Sequence, residues 1–184
     1  MSKAAWVILF AVGLIILIAR GGNRRIRNIS ASLPRHPSRK FSNRSLSDIW
    51  EIVIHHTAGP EDETPASIAA YHSGPNHICD EGCPGISYHF LIDRSGRIYQ
   101  TQPLTKVSYH TSGRNTNTVG VCLIGNYNHL ELTPGIRDSL RYTIRYLNKK
   151  VGRELFVTAH RDHRSTSCPG HNIDLSTFTN LQTA

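Results

Sequence analysis

Residues 51–60 read EIVIHHTAGP, and the architecture of the domain is built around this stretch. Glu51–His56 is a β-branched run ending in paired histidines, which reads as a strand. Thr57-Ala58-Gly59-Pro60 then stops it at a loop. Beyond the loop, Thr64-Pro65 opens a short helix over Ala66–His72, with proline at a tolerated first-turn position. Ser87–Asp93 (SYHFLID) alternates, turns at Arg94-Ser95-Gly96 and resumes as Arg97–Thr101, a hairpin pattern. Thr118–Gly125 (TVGVCLIG) is another strand. Ile136, Leu140, Ile144 and Leu147 fall at helical spacing between Thr133-Pro134 and Gly152, which predicts an amphipathic helix of about four turns. Phe156–His160 (FVTAH) is a last strand before an irregular tail. The fold class is therefore α/β: a single domain with a central mixed β-sheet flanked by helices.

The 184 residues suit one domain of ordinary size. A hydrophobic fraction of 39% excludes a wholly disordered chain, and four cysteines are too few for a disulfide-dense scaffold. Charge is unevenly placed. Residues 1–45 hold nine Lys/Arg and no acid, whereas residues 46–184 hold 12 bases and 13 acids. The overall +8 thus belongs to the N-terminal tail, and no specific nucleic-acid partner is expected of the near-neutral remainder.

Ala4–Ala19 is an uninterrupted apolar run between Lys3 and Arg20. As a helix it would rise about 24 Å, slightly short of the roughly 30 Å hydrocarbon core, with the flanking cations snorkelling to the headgroups. No small-x-small cleavage site follows it. The expectation is an N-terminal transmembrane helix within residues 1–22, a basic flexible linker over 23–47 and the folded domain over 48–184. Arg20, Arg24, Arg25 and Arg27 follow the span, so the positive-inside bias would keep the domain cytoplasmic.

Several of the eleven histidines stand where strands end. His55 and His56 finish one strand, His160 finishes the last, and Cys168 follows His160 by eight residues in HRDHRSTSCPG. Strand ends on one sheet edge converge, so His55 or His56, His160 and Cys168 can meet around one metal. Two imidazoles and a thiolate leave a fourth tetrahedral position open, as catalytic zinc requires. The alternative is that these histidines finish strands and bond nearby backbone.

IVIHHTAG, ISYHFLIDRSGRIYQ, NTNTVGVCLIGNYN and TAHRDHRSTSCPG resemble, in this order, the zinc-dependent N-acetylmuramoyl-L-alanine amidases, a family shared by phage lysozyme-type amidases and peptidoglycan recognition proteins. The resemblance runs from about Trp50 to Leu175. It implies one Zn²⁺ held by His55, His160 and Cys168, and strand alternation agrees that only one of His55 and His56 can face the site. It also implies catalytic roles for Tyr88 and Thr166, and substrate contacts for His110 and Thr57. The implied reaction is hydrolysis of the amide between muramic acid and L-alanine, with zinc polarising the carbonyl and acidifying water. Some bacterial members carry a glutamate where this chain has Cys122; phage-type members also lack it.

Other residues have blander expectations. Cys79 and Cys83 are close enough in sequence for a small disulfide, which is left open, and Cys122 reads as a buried small hydrophobe. Asp162 would hold the metal loop or orient a ligand imidazole, His163 lies within reach of that loop, and His171 falls on the surface.

The resemblance implies a peptidoglycan hydrolase, and the apolar run makes it membrane-tethered. A monomer is expected, with its domain facing the wall or periplasm, because the substrate lies outside the cytoplasmic membrane and positive-inside is a bias rather than a law. Two other classes stay open: a non-catalytic module that binds muropeptides, and a cysteine hydrolase using Cys168 or Cys122 with a nearby histidine.

Overall fold

The computed structural model describes residues 26–75 and 79–178. Its strands are β1 (Ile26–Asn28), β2 (Glu51–His56), β3 (Phe90–Ile92), β4 (Ile98–Gln100), β5 (Thr118–Leu123) and β6 (Phe156–Ala159). Its α-helices are α1 (Pro65–Ser73) and α2 (Pro134–Val151). The strands form one sheet in the order β1-β4-β3-β5-β2-β6. Only β3 and β4 pair antiparallel, as the hairpin expected from the sequence; the other neighbours are parallel. The sheet is therefore mixed, and both helices arise where proline-led patterns place them.

β2 and β5 are buried along their whole length, which explains their near-continuous apolar sequences. Alternation divides their side chains between two cores. Ile52, Ile54, Val119, Val121 and Leu123 pack with Ile136, Leu140, Ile144 and Leu147 of α2. On the other face, Leu91 and Cys122 pack with Ile68 and Ala69 of α1. Glu51, Val53 and His55 alternate with the α2-facing residues, so that second face carries the site.

Helix ends follow local chemistry. Thr64 and Thr133 are the N-caps, accepting from Ser67 N and Ile136 N, and Pro65 and Pro134 occupy the first turns. Gly152 closes α2 in the left-handed region at φ 79°, which a residue with Cβ adopts only at a cost. In the β3–β4 turn, Asp93 Oδ1 accepts from Ser95 N and Arg97 N, and fixes the reversal at Arg94-Ser95-Gly96.

The segment before β2 departs from the expected linker. From Ile26 onward it belongs to the fold: β1 pairs with β4, and Leu33 and Phe41 are buried. Arg44 is buried too. Its Nε donates to Leu104 O at 2.7 Å, and Nη1 donates to the carbonyls of Asn115, Thr116 and Thr118 at 2.6–3.0 Å. Nη2 lies 2.8 Å from His89 Nε2. Burial lowers the Arg44 pKa to about 10, yet it stays charged at neutral pH. The segment looked like a linker because its few apolar residues have no period, and its backbone partners, such as Gln100, Pro84 and Thr105, are remote in sequence.

Among the described residues no helix is long and apolar enough to cross a membrane. The expected span over residues 4–19 lies outside them. Cys79 and Cys83 form a disulfide.

Candidate metal centre

β2 and β6 are adjacent and parallel, so their C-terminal ends share one edge of the sheet. His55 stands near the end of β2, and His160 immediately follows β6. Cys168 arrives on a loop that is held at several points. Arg161 N donates to Cys168 O at 2.8 Å, while Arg161 Nη1 and Nη2 donate to Gly170 O and Ile173 O, each at 2.8 Å. Asp162 accepts from Ala159 N at 2.8 Å and fixes the turn that begins with His160. Gly170, at φ 113°, lets the loop pass against Tyr127; a Cβ there would stand 2.3 Å from the Tyr127 carbonyl carbon.

These constraints bring one donor atom each from His55, His160 and Cys168 within 4.8 Å of one another. His55 Nδ1 lies 3.7 Å from Cys168 Sγ. Tetrahedral zinc, at about 2.3 Å from sulfur and about 2.0 Å from nitrogen, sets two such donors about 3.5 Å apart, so this donor set fits it. His56 does not join them. Its Nδ1 accepts from Tyr127 N, and its backbone N–H donates to Cys168 Sγ at 3.4 Å.

A buried chain of hydrogen bonds orients the His55 ring. His55 Nε2 lies 3.1 Å from His110 Nδ1, and His110 Nε2 lies 3.2 Å from Thr118 Oγ1. Thr118 Oγ1 donates to Arg114 O at 2.9 Å. With that proton committed, His110 Nε2–H donates to Thr118 and His55 Nε2–H donates to His110, a tautomer assignment that follows from the network. His55 Nδ1 is then bare and turned toward Cys168, as a metal ligand must be. Thr111 Oγ1 adds a contact of 3.0 Å to His110 Nδ1. Gly120 makes room for the His110 ring, which a Cβ would meet at 2.7 Å.

The electrostatics favour neutral imidazoles. Burial, then the neighbouring histidines, holds His55 well below the usual histidine range, and burial takes His110 down to about 3. His160 is lowered by burial, then by His163 and Arg164. Burial also pushes the Cys168 thiol up to about 11, against the pull of the His56 N–H. A thiol so placed needs a cation beside it to become a thiolate at neutral pH.

The other expected site residues are disposed differently. The Tyr88 ring centroid lies 5.2 Å from that of His55. Burial, followed by Cys122 and Cys168, raises its hydroxyl well above the usual tyrosine range, and the hydroxyl bonds the Cys122 side chain. Thr166 is exposed, and its Oγ1 accepts from Cys168 N at 3.2 Å. Thr57 Oγ1 accepts from Gly125 N at 2.9 Å, bracing the loop after β2. His110 sits buried behind His55, and the exposed His171 lies away from the cluster's bonds. His163 turns to Glu51, with Nε2 2.8 Å from Oε1. Thr111 and Thr118 are the positions sequence reading missed; lone threonines at a loop and a strand start carry no periodic signal.

The sequence matches the N-acetylmuramoyl-L-alanine amidase family over residues 45–171. Peptidoglycan-recognition protein SC1a of Drosophila melanogaster is 33% identical over 128 residues, covering 66% of this chain and 68% of that protein. The solved N-acetylmuramoyl-L-alanine amidase LysC from Clostridium intestinale superposes with a TM-score of 0.68 at 29% identity, covering 84% of this chain and 94% of that one. Bumblebee PGRP-SA shares the fold with a TM-score of 0.72 at 22% identity, covering 85% and 95%. A match across most of the folded region, together with the SC1a likeness, shows that the chain belongs to the N-acetylmuramoyl-L-alanine amidase family.

Proposed function

We propose that this chain hydrolyses the amide between the lactyl group of N-acetylmuramic acid and L-alanine in peptidoglycan. The observation that carries the reading is the His55/His160/Cys168 donor set, with its ring tautomer fixed from behind. Three protein donors suit a catalytic zinc, which keeps one position for water or substrate. Bound there, zinc supplies Lewis acidity toward the scissile carbonyl and a nucleophilic water at neutral pH.

The chain's own residues do the rest. His110 and Thr118 hold the His55 ring in one orientation, and Arg161 holds the loop that presents Cys168. Tyr88, kept protonated by burial, turns its hydroxyl from the Cys122 sulfur to donate to the carbonyl oxygen as that oxygen gains charge. Thr166 accepts from backbone through its oxygen, and its hydroxyl proton serves as the second donor. The apolar residues 4–19 tether the domain to a membrane, with the domain on the wall side where the substrate lies.

The test uses the full chain, because residues 26–45 are part of the fold. Insoluble peptidoglycan is incubated with the protein, with and without a zinc chelator, and new ends are identified by mass spectrometry. Free L-alanine amino termini that vanish with chelator and return with Zn²⁺ are expected. Wall binding without new ends would instead assign a recognition module. Cleavage indifferent to chelator but blocked by iodoacetamide would assign a cysteine hydrolase.

A further inference from the structure

A hollow of about 550 Å³ opens beside the N-terminal ends of β2 and β6 and takes no part in the metal centre. Its size is ordinary for a small-ligand site. Trp50 and Phe156 line it and are 53% and 72% exposed, unusual for large apolar side chains in a packed domain. Both are placed by strand pairing: Phe156 N donates to Trp50 O, and Phe156 registers with Glu51. The Arg153 guanidinium lies 3.9 Å from the Trp50 ring centroid and steadies it.

The polar lining is already neutralised. Glu51 Oε1 accepts from Thr158 Oγ1 at 2.6 Å and lies 2.8 Å from His163 Nε2, while Oε2 lies 3.3 Å from Arg114 Nη2. With Glu51 and Arg114 paired to each other, neither an ammonium nor a carboxylate on a ligand finds an unpaired counter-charge. A lipid chain would meet a lining broken by charged groups. Arg114 remains 53% exposed, and a guanidinium has five N–H groups to offer. Exposed aromatic rings beside a charge-balanced Glu51–Arg114 pair, whose guanidinium keeps N–H groups to spare, suit a ligand apolar on its ring faces and hydroxylated at its rim, which is a pyranose.

The hollow shares one face of the sheet with the metal centre. Phe156 and Thr158 alternate onto the face of β6 that leads to His160, as Glu51 and Val53 lead to His55 on β2. Four residues of strand span about 13 Å. A polymer bound at the metal by one unit therefore has neighbouring units within reach of Trp50 and Phe156.

We propose that Trp50, Phe156 and Arg114 form a saccharide subsite that holds glycan-strand sugars beyond the unit being cut. The assignment of the polymer as peptidoglycan rests on the amidase reading; the binding of sugar does not.

The test titrates the full chain with a peptide-free β-1,4-linked N-acetylglucosamine tetramer by isothermal calorimetry. Trp50→Ala and Phe156→Ser are compared with Tyr142→Ala on α2, and thermal unfolding of each variant checks the fold. Phe156 is so exposed that its replacement leaves the fold intact even if Trp50→Ala unfolds. The expected result is tetramer binding weakened about tenfold or more by each pocket variant and unaltered by Tyr142→Ala. No binding by the parent chain, or equal binding by all variants, overturns the subsite. The same preparations are assayed for new L-alanine ends. Cleavage without tetramer binding removes the subsite and keeps the amidase; pocket-dependent binding without cleavage keeps the subsite and removes the amidase.

Discussion

Thr118 has one hydroxyl proton and gives it to the Arg114 carbonyl, and this fixes the proton positions through His110 to His55. His110→Ala would leave His55 free to rotate and to take the other tautomer. Zinc affinity is expected to fall about 10–100-fold, read by competition with a chromophoric chelator. An unchanged affinity would mean that packing alone orients the ring. Tyr88 tests a different property, since its ring stands beside His55 without belonging to the donor set. Tyr88→Phe should lower turnover about 10²–10³-fold with bound zinc undiminished, measured by release of L-alanine ends alongside metal analysis. Retained turnover would take the oxyanion role away from it. His55, His160 and Cys168 are legible in the sequence because motif order singles them out. Their support is not, because the bond from His55 to His110 crosses 55 positions of sequence.

Strongly patterned elements are legible from residue order alone. β2 and β5 are continuous apolar runs, and α2 places Ile136, Leu140, Ile144 and Leu147 on one buried stripe. β3 is shorter than its alternating sequence suggests. Ser87 N bonds His72 Nδ1 instead of a strand partner, so the ladder begins only at Phe90. The stretch before β2 is illegible for a different reason: its structure consists of bonds to distant carbonyls. A chain beginning at residue 46 would lose β1, the buried Leu33 and Phe41, and the Arg44 contacts. It should unfold at markedly lower temperature than the full chain, measured by circular dichroism. Within the intact chain, Arg44→Ala should cost about 2–3 kcal/mol in denaturant unfolding, because carbonyls facing the guanidinium are left unsatisfied. Full stability in the shortened chain would restore the view of this segment as a spacer.

Burial of neutral histidines gives the domain a characteristic response to pH. His56 is held at about 4 by burial and His171, and His110 at about 3, chiefly by burial. His55 and His89 are also held well below the usual range, each mainly by burial. In the unfolded chain all four titrate near 6.5. The unfolded state therefore binds more protons below that value, and stability present above about pH 6.5 is lost as pH falls toward the folded values. The metal-free full chain should show one unfolding temperature from pH 8 to 7 and a falling one below 6.5. A flat profile down to pH 4.5 would contradict this origin.

The strand order has a consequence in time. β2 is made early, but both of its neighbours, β5 and β6, come from residues 118–159. His55 thus sits on a strand with no ladder partner until the chain's later half has joined it. Such distant pairings put folding at about milliseconds to seconds, slower than locally wired helical domains of similar size. During that interval an apolar β2 with open edges is the segment most exposed to pairing with another copy of the chain.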